Sequence, residues 1–285
     1  MSHLRISPSA TCRQIPVLEA WGQRLGQHFP MIPMRAWLRH CFHYILSWQS
    51  HGNGLVCQLP GGEQIRILPE FRHISWNLDE YTAFKAHCPQ GGIALDVGAN
   101  LGCYSLLFSQ WTGPSGRVYA FEPAMDTFRG LQQLIELNEA QDVVHPVQQA
   151  ISDSSGEVAF RSTGLQGDNR IIGDHESETD DVIRIPTVSI DEFCAAQKIQ
   201  PHLIKIDVEG YELGVLRGAQ ETIRAGREHL ALFVEMHPTT WQVLGIHQDD
   251  IVAELNRQNL RAEPLARADD PWSIEGCCMR LLPDA

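Results

Sequence analysis

From residue 93 onward the chain alternates short apolar runs with helical stretches, and that rhythm narrows the folds open to it. Strand candidates are IALDVGA (93–99), VYAFEP (118–123), VHPVQQAIS (144–152), HLIKIDV (202–208) and LALFVEM (230–236). The stretches CYSLLFSQW and DTFRGLQQLIELNEA, which separate the first three, have helical character. Strand–helix–strand units at this spacing wind right-handedly and build a parallel sheet. The runs are apolar on both faces, as strands covered by helices on both sides must be. The expected class is therefore α/β. A helix around 247–258 and a last strand in SIEGCCMRLLP complete the pattern.

The part before residue 76 reads differently. GLVCQLPGGEQIRIL (54–68) predicts a hairpin around Pro60-Gly61-Gly62, and past the boundary LDEYTAFKAHC (78–88) predicts a short helix leading into the next strand. Residues 1 to about 50 read as helical and irregular, with Pro16, Pro30 and Pro33 as punctuation. The expected organisation is a helical and hairpin extension over 1–75, followed by the main domain over 76–285. The segment PMIPMRAWLRHCFHYILSW carries Arg35, Arg39, His40 and His43, so it suits an amphipathic helix rather than a membrane span. The first residues have no apolar stretch of the secretory type.

A net charge of −13 argues against a nucleic-acid scaffold, since phosphate binding wants a Lys/Arg excess. The eight cysteines form no CxxC pair and sit mostly in apolar stretches. They read as reduced, buried thiols of a cytoplasmic protein, and a structural zinc is not expected. The polar, Gly-rich GLQGDNRIIGDHESETDD is a candidate binding loop, in which Asn169 and Arg170 could touch an acceptor; a plain surface loop is the equal alternative.

The chemistry begins in LDVGANLGCYSLLF. Gly98 and Gly102 flank a turn that opens a helix, a place where backbone meets ligand. The pattern is DxGxxxG rather than the dinucleotide fingerprint GxGxxG. Asp96 at the strand end would repel a pyrophosphate and suit a cation. S-adenosylmethionine, with a sulfonium and an amino group, fits, and its own carboxylate can use the loop's N–H groups. Glu122 ends the second strand, where an acid binds ribose hydroxyls. Asp153, after the third strand, is either a partner for the adenine amino group or a turn residue.

With IKIDVEGYELGVLRGA added to LDVGANLGCYSLLF, VYAFEP and AISDSSGEV, the sequence resembles the FkbM family of S-adenosylmethionine-dependent methyltransferases over about residues 78–240. The resemblance implies a class I methyltransferase (Rossmann-like) fold, a seven-stranded sheet with one antiparallel strand. It implies O-methylation of sugars, glycolipids or polyketide-type natural products. It places Asp96, Gly98, Asn100 and Gly102 on the methionine and ribose side, Glu122 at the ribose and Asp153 near the adenine.

The fourth and fifth strands end in IKIDVEGYE and FVEMHP. Their carboxyl ends face the ligand crevice of such a sheet. Asp207 and Glu209 lie two apart, as do Glu235 and His237. A sugar hydroxyl is a poor nucleophile and needs a base or a metal beside it. These four residues are the candidate catalytic set. A carboxylate or His237 base without metal is slightly preferred to Mg²⁺ or Mn²⁺. Glu212 is expected to be a first-turn acid, and Lys205 to pack its stem and send its charge to solvent. Two rival readings stay open: a non-catalytic module that binds S-adenosylmethionine and docks a partner through residues 1–75, and a nucleotide-dependent oxidoreductase.

Overall fold

The computed structural model describes residues 5–6, 53–72, 74–164, 169–173, 181–266, 270 and 272–284. The helical reading of 1–50, its amphipathic segment and most of the acidic stretch 174–181 lie outside them. In chain order the strands are β1 (Arg5–Ile6), β2 (Leu55–Gln58), β3 (Gln64–Ile67), β4 (Trp76–Asn77), β5 (Ile93–Val97), β6 (Arg117–Phe121), β7 (Val144–Val147) and β8 (Ala150–Ile151). There follow β9 (Gly156–Arg161), β10 (Arg170–Ile171), β11 (Val182–Val188), β12 (Leu203–Ile206), β13 (Ala231–Met236), β14 (Leu260–Pro264) and β15 (Cys277–Pro283). The helices are α1 (Leu78–His87), α2 (Cys103–Thr112), α3 (Met125–Leu137), α4 (Ile190–Gln197), α5 (Glu212–Arg217), α6 (Gln220–Ala225), α7 (Pro238–Val243) and α8 (Gln248–Arg257).

The central sheet has seven strands in the order β14-β15-β13-β12-β5-β6-β7. From β13 to β7 every pairing is parallel, while β15 runs antiparallel to both neighbours. This is the seven-stranded class I methyltransferase sheet that the resemblance implied, with its single reversed strand. The chain closes it by inserting its last strand between β13 and β14.

Strand alternation divides the interior in two. Ala94, Leu203, Ala231 and Phe233 face one core with Phe84 of α1 and Phe108 of α2. Leu95, Val97, Ile204, Ile206, Leu232 and Val234 face the other, with Ile190 of α4 and Val215 of α5. The same period of two turns Asp96, Lys205 and Glu235 toward the first core, and Lys205 is the register partner of Asp96. The first core also takes in Leu55, Cys57, Ile65 and Ile67 of the β2–β3 hairpin. A division at 75/76 therefore cuts through shared packing.

The expected third strand, 144–152, splits. β7 ends at Val147 in the central sheet, and β8 pairs in parallel with β11 in a side sheet of order β10-β9-β11-β8. That side sheet flanks the carboxyl ends of β5 and β6.

Candidate functional site

A cavity of about 330 Å³ opens at those strand ends, within the usual size range for a small-molecule pocket. It is lined by the β5 loop (Gly98, Asn100), by Phe121 at the end of β6 and Glu122 after it, and by Asp207, Val208 and Glu209 after β12. Gln149, Ala150, Ile151, Phe160, Asn169 and Ile171 close it from the side sheet. Among the described residues its lining has three carboxylates and no Lys or Arg.

The loops are locked by backbone geometry. Gly98 has φ +79°, and a Cβ there would lie 1.7 Å from the carbonyl oxygen of Asp207. Only glycine lets the β5 and β12 loops pass so closely. The Gly98 and Ala99 N–H groups donate to the Phe121 carbonyl at 3.1 and 2.9 Å. Glu122 accepts from the Asn100 N–H at 3.0 Å and the Ala124 N–H at 2.9 Å. The amides of Gly98, Ala99 and Asn100 are therefore engaged within the protein. Glu122 is buried yet lines the cavity, and burial lifts its carboxyl to about 7. Each of its oxygens keeps a lone pair for a further donor.

The other expected cofactor residues sit elsewhere. Asp96 lies beneath the loop, 1% exposed, accepting from Ser105 Oγ at 2.6 Å. Its Oδ1 has no hydrogen-bond partner and is 3.7 Å from Lys205 Nζ. Burial pushes its carboxyl upward against the pull of Lys205. Gly102 caps α2 at φ +80°, where a Cβ would meet Leu131 at 2.3 Å. Asp153 does not line the cavity. Because β8 leaves the central sheet, Asp153 falls on an exposed turn, where Ser152 and Ser154 hydroxyls each donate to it at 3.2 Å. It borders outer grooves with Arg217 instead. Asn169 does border the cavity, tied to Gly164 O and Thr127 Oγ1, whereas Arg170 is buried and outside it.

The structure brings all four catalytic candidates together. His237 Nε2 lies 3.5 Å from Glu209 Oε2, 3.8 Å from Asp207 Oδ1 and 3.9 Å from Glu235 Oε1. The ring is 3% exposed, and its Nδ1 is 2.8 Å from Glu212 Oε1. Glu212 opens α5 as expected, but it is no surface acid. It is wholly buried, accepting also from the Gly210 N–H at 2.9 Å and Trp241 Nε1 at 2.6 Å. Glu212 and Trp241 thus fix the imidazole. Glu209 holds φ +51°, an uncommon conformation for a non-glycine residue, and projects into the cavity.

Lys205 corrects a second expectation. It is buried, with Nζ 3.0 Å from Asp207 Oδ2. A lysine inside an apolar strand next to two acids was itself the signal that its charge stays inside. Burial disfavours the Lys205 ammonium, but Asp207 and Asp96 outweigh it and raise its pKa. Burial likewise opposes ionisation of Asp207, yet Lys205 and then His237 hold its carboxyl below the ordinary value. Glu235 goes the opposite way, pushed well up by burial and by the Asp207 charge. His237 loses to burial but gains more from Glu212, and rises to about 10. A group protonated at neutral pH cannot take a proton, so the ligand-free ring is not the base its ordinary pKa suggested.

A methyltransferase FkbM domain matches residues 96–261. The chain belongs to the FkbM methyltransferase family. It is 30% identical over 169 residues to the hexuronic acid methyltransferase AglP of Haloferax volcanii, covering 59% of this chain and 63% of that protein. It is 26% identical to the methyltransferase sdnD of Sordaria araneosa, over 57% of this chain and 74% of that one. The chain thus spans less than two thirds of the length of AglP. Among solved structures, a methyltransferase FkbM from Methylobacillus flagellatus KT aligns with TM-score 0.44 and 20% identity, covering 66% of this chain and 43% of that one.

Proposed function

We propose that this FkbM-family chain is an S-adenosylmethionine-dependent O-methyltransferase acting on a hydroxyl of a saccharide, glycolipid or polyketide-type natural product. The observation that carries the cofactor is the cavity's charge: three carboxylates and no basic side chain among its described lining residues. A dinucleotide would bring a pyrophosphate against Glu122, Asp207 and Glu209. A sulfonium is attracted there. Glu122 has lone pairs for two ribose hydroxyls, and Phe121, Ile151, Phe160 and Ile171 offer apolar walls to a flat ring.

Bound there, S-adenosylmethionine supplies an electrophilic methyl. The chain supplies the rest. Asp207 and Glu209 line the same cavity, and in this reading they stand between the sulfonium and the acceptor. A hydroxyl held at the cluster becomes acidic as its oxygen bonds to the methyl carbon. Its proton then passes to Asp207 or Glu209, not to His237. His237, fixed by Glu212, holds these carboxylates in place. The similarity to a hexuronic acid methyltransferase favours a saccharide acceptor. No helix among the described residues is long and apolar enough to cross a membrane, and a cytoplasmic site of action belongs to this proposal.

Calorimetric titration with S-adenosylmethionine, S-adenosylhomocysteine and NAD tests it. The first two should bind and NAD should not, and labelled methyl should reach a saccharide acceptor. NAD binding without either sulfur ligand would restore the oxidoreductase reading. Cofactor binding with no transfer to any saccharide or polyketide acceptor would favour a binding module.

A further inference from the structure

The cluster around His237 has a geometry that hydrogen bonding leaves unexplained. Nε2 points at three carboxylate oxygens at 3.5, 3.8 and 3.9 Å. All three distances exceed the usual 2.7–3.2 Å of an N–H···O bond. An imidazole buried to 3% exposure is expected to draw one of them in. Instead, one donor atom each from Asp207, Glu209 and His237 lie within 4.8 Å of one another. Metal–ligand bonds of about 2.1–2.3 Å place neighbouring ligand atoms roughly 3 to 4.5 Å apart, and His237 Nε2 lies 3.5 and 3.8 Å from the Glu209 and Asp207 oxygens.

The surroundings are built for the same purpose. His237 Nδ1 is held by Glu212, itself wholly buried and fixed by Trp241 and Gly210. A histidine whose second nitrogen is bound to a carboxylate is the usual oriented form of a metal ligand. Lys205 occupies the far oxygen of Asp207 and leaves Oδ1 turned to the cluster. Glu209 is largely exposed at the cavity, so the point between the donors is reachable from it.

We propose that Asp207, Glu209 and His237 form a divalent-cation site whose remaining positions take the oxygen of the acceptor. This rests on the acceptor reading of the same cluster given above. One imidazole with two carboxylates suits Mn²⁺ or Mg²⁺ more than a soft, thiolate-seeking ion. The cation lowers the pKa of the hydroxyl it holds. The C–O bond forms as the methyl–sulfur bond breaks, sulfur keeps that electron pair as a neutral thioether, and the hydroxyl proton passes to water on the exposed Glu209 side of the cluster.

The test uses the full chain stripped with EDTA. Free Mn²⁺ is followed by its EPR signal during titration, and S-adenosylhomocysteine binding is measured calorimetrically on the same sample. One Mn²⁺ per chain should bind, weakened at least tenfold by Glu209→Gln and by His237→Asn. Glu209 is exposed, so an unchanged melt of Glu209→Gln separates lost binding from lost folding. No saturable Mn²⁺ binding, or equal binding in wild type and both variants, overturns the site. If S-adenosylhomocysteine binds in that case, the methyltransferase reading stands alone. Variant-sensitive Mn²⁺ binding without S-adenosylhomocysteine binding supports the site and removes the cofactor reading.

Discussion

Glu122 is the residue through which pH should enter cofactor binding. Burial lifts its carboxyl to about 7, so the folded protein holds this proton longer than the unfolded chain does. Its contribution to ligand-free stability therefore declines as pH rises from about 4.5 to about 7. Ribose hydroxyls need the ionised form as acceptor. The affinity for S-adenosylhomocysteine should accordingly rise by roughly tenfold from pH 6 to pH 8, the difference between neutral and charge-assisted hydrogen bonds. Glu122→Gln should bind at least tenfold more weakly at pH 8 and lose that pH dependence, by calorimetry. Equal affinity at both pH values in wild type would remove Glu122 from the ligand. Lys205 governs stability instead. Its ammonium compensates Asp207 and Asp96 in a buried strand. Lys205→Met strands those carboxylates and should cost about 3–5 kcal/mol in urea denaturation. A loss under 1 kcal/mol would mean water reaches them.

Between elements, the sharpest tie is Glu63, in the turn of the β2–β3 hairpin. Its carboxylate accepts from Tyr81 Oη at 2.7 Å, Lys85 Nζ at 2.5 Å and Trp111 Nε1 at 2.8 Å, joining the hairpin to α1 and α2. Burial alone would raise this carboxyl, but the hydrogen bonds from Lys85, Tyr81 and Trp111 win and bring it to about 2. A depressed folded pKa means stability present above the unfolded value near 4.5 and lost as pH falls toward 2. The contribution at neutral pH is on the order of 3 kcal/mol. Glu63→Gln should melt well below wild type at pH 7, with more than half of that gap gone by pH 3. A gap independent of pH would mean packing, not charge, ties the hairpin down. The β5 and β12 loops are tied differently, by the approach of Gly98 to the Asp207 carbonyl. Gly98→Ala adds that clash to the roughly 1–2 kcal/mol of a left-handed residue with a Cβ. It should abolish S-adenosylhomocysteine binding through displacement of Asp207, even if circular dichroism shows a folded chain.

At the scale of the molecule, the alternation of apolar runs made the parallel sheet legible, because strands buried on both faces cannot hide their composition. The pairs Asp207/Glu209 and Glu235/His237 were legible because they follow two such strands, and the sheet brings those ends together. Asp153 was misplaced because AIS is apolar enough to continue a strand, and nothing local marks the crossing of Gln148 and Gln149 into a side sheet. The roles of Glu212 and Trp241 depend on contacts across 25 and 29 residues, which no local pattern encodes. The hairpin was recognised from its turn, but its place in the core was not, since a two-stranded unit with one apolar face fits a docking surface equally well. That last point decides whether residues 76–285 can stand alone. Leu55, Ile65, Ile67 and Phe71 are buried against the main core. At about 1.5–3 kcal/mol for each such side chain, their loss removes about 6–12 kcal/mol. A whole domain is stable by only about 5–15 kcal/mol. Trp111, Tyr81 and Lys85 would lose Glu63 as well. A chain shortened to begin at residue 76 should therefore fail to melt cooperatively, while one beginning at residue 53 keeps a cooperative transition and its S-adenosylhomocysteine binding. Cooperative melting of the chain from 76 would show the hairpin to be an attachment rather than a wall of the fold.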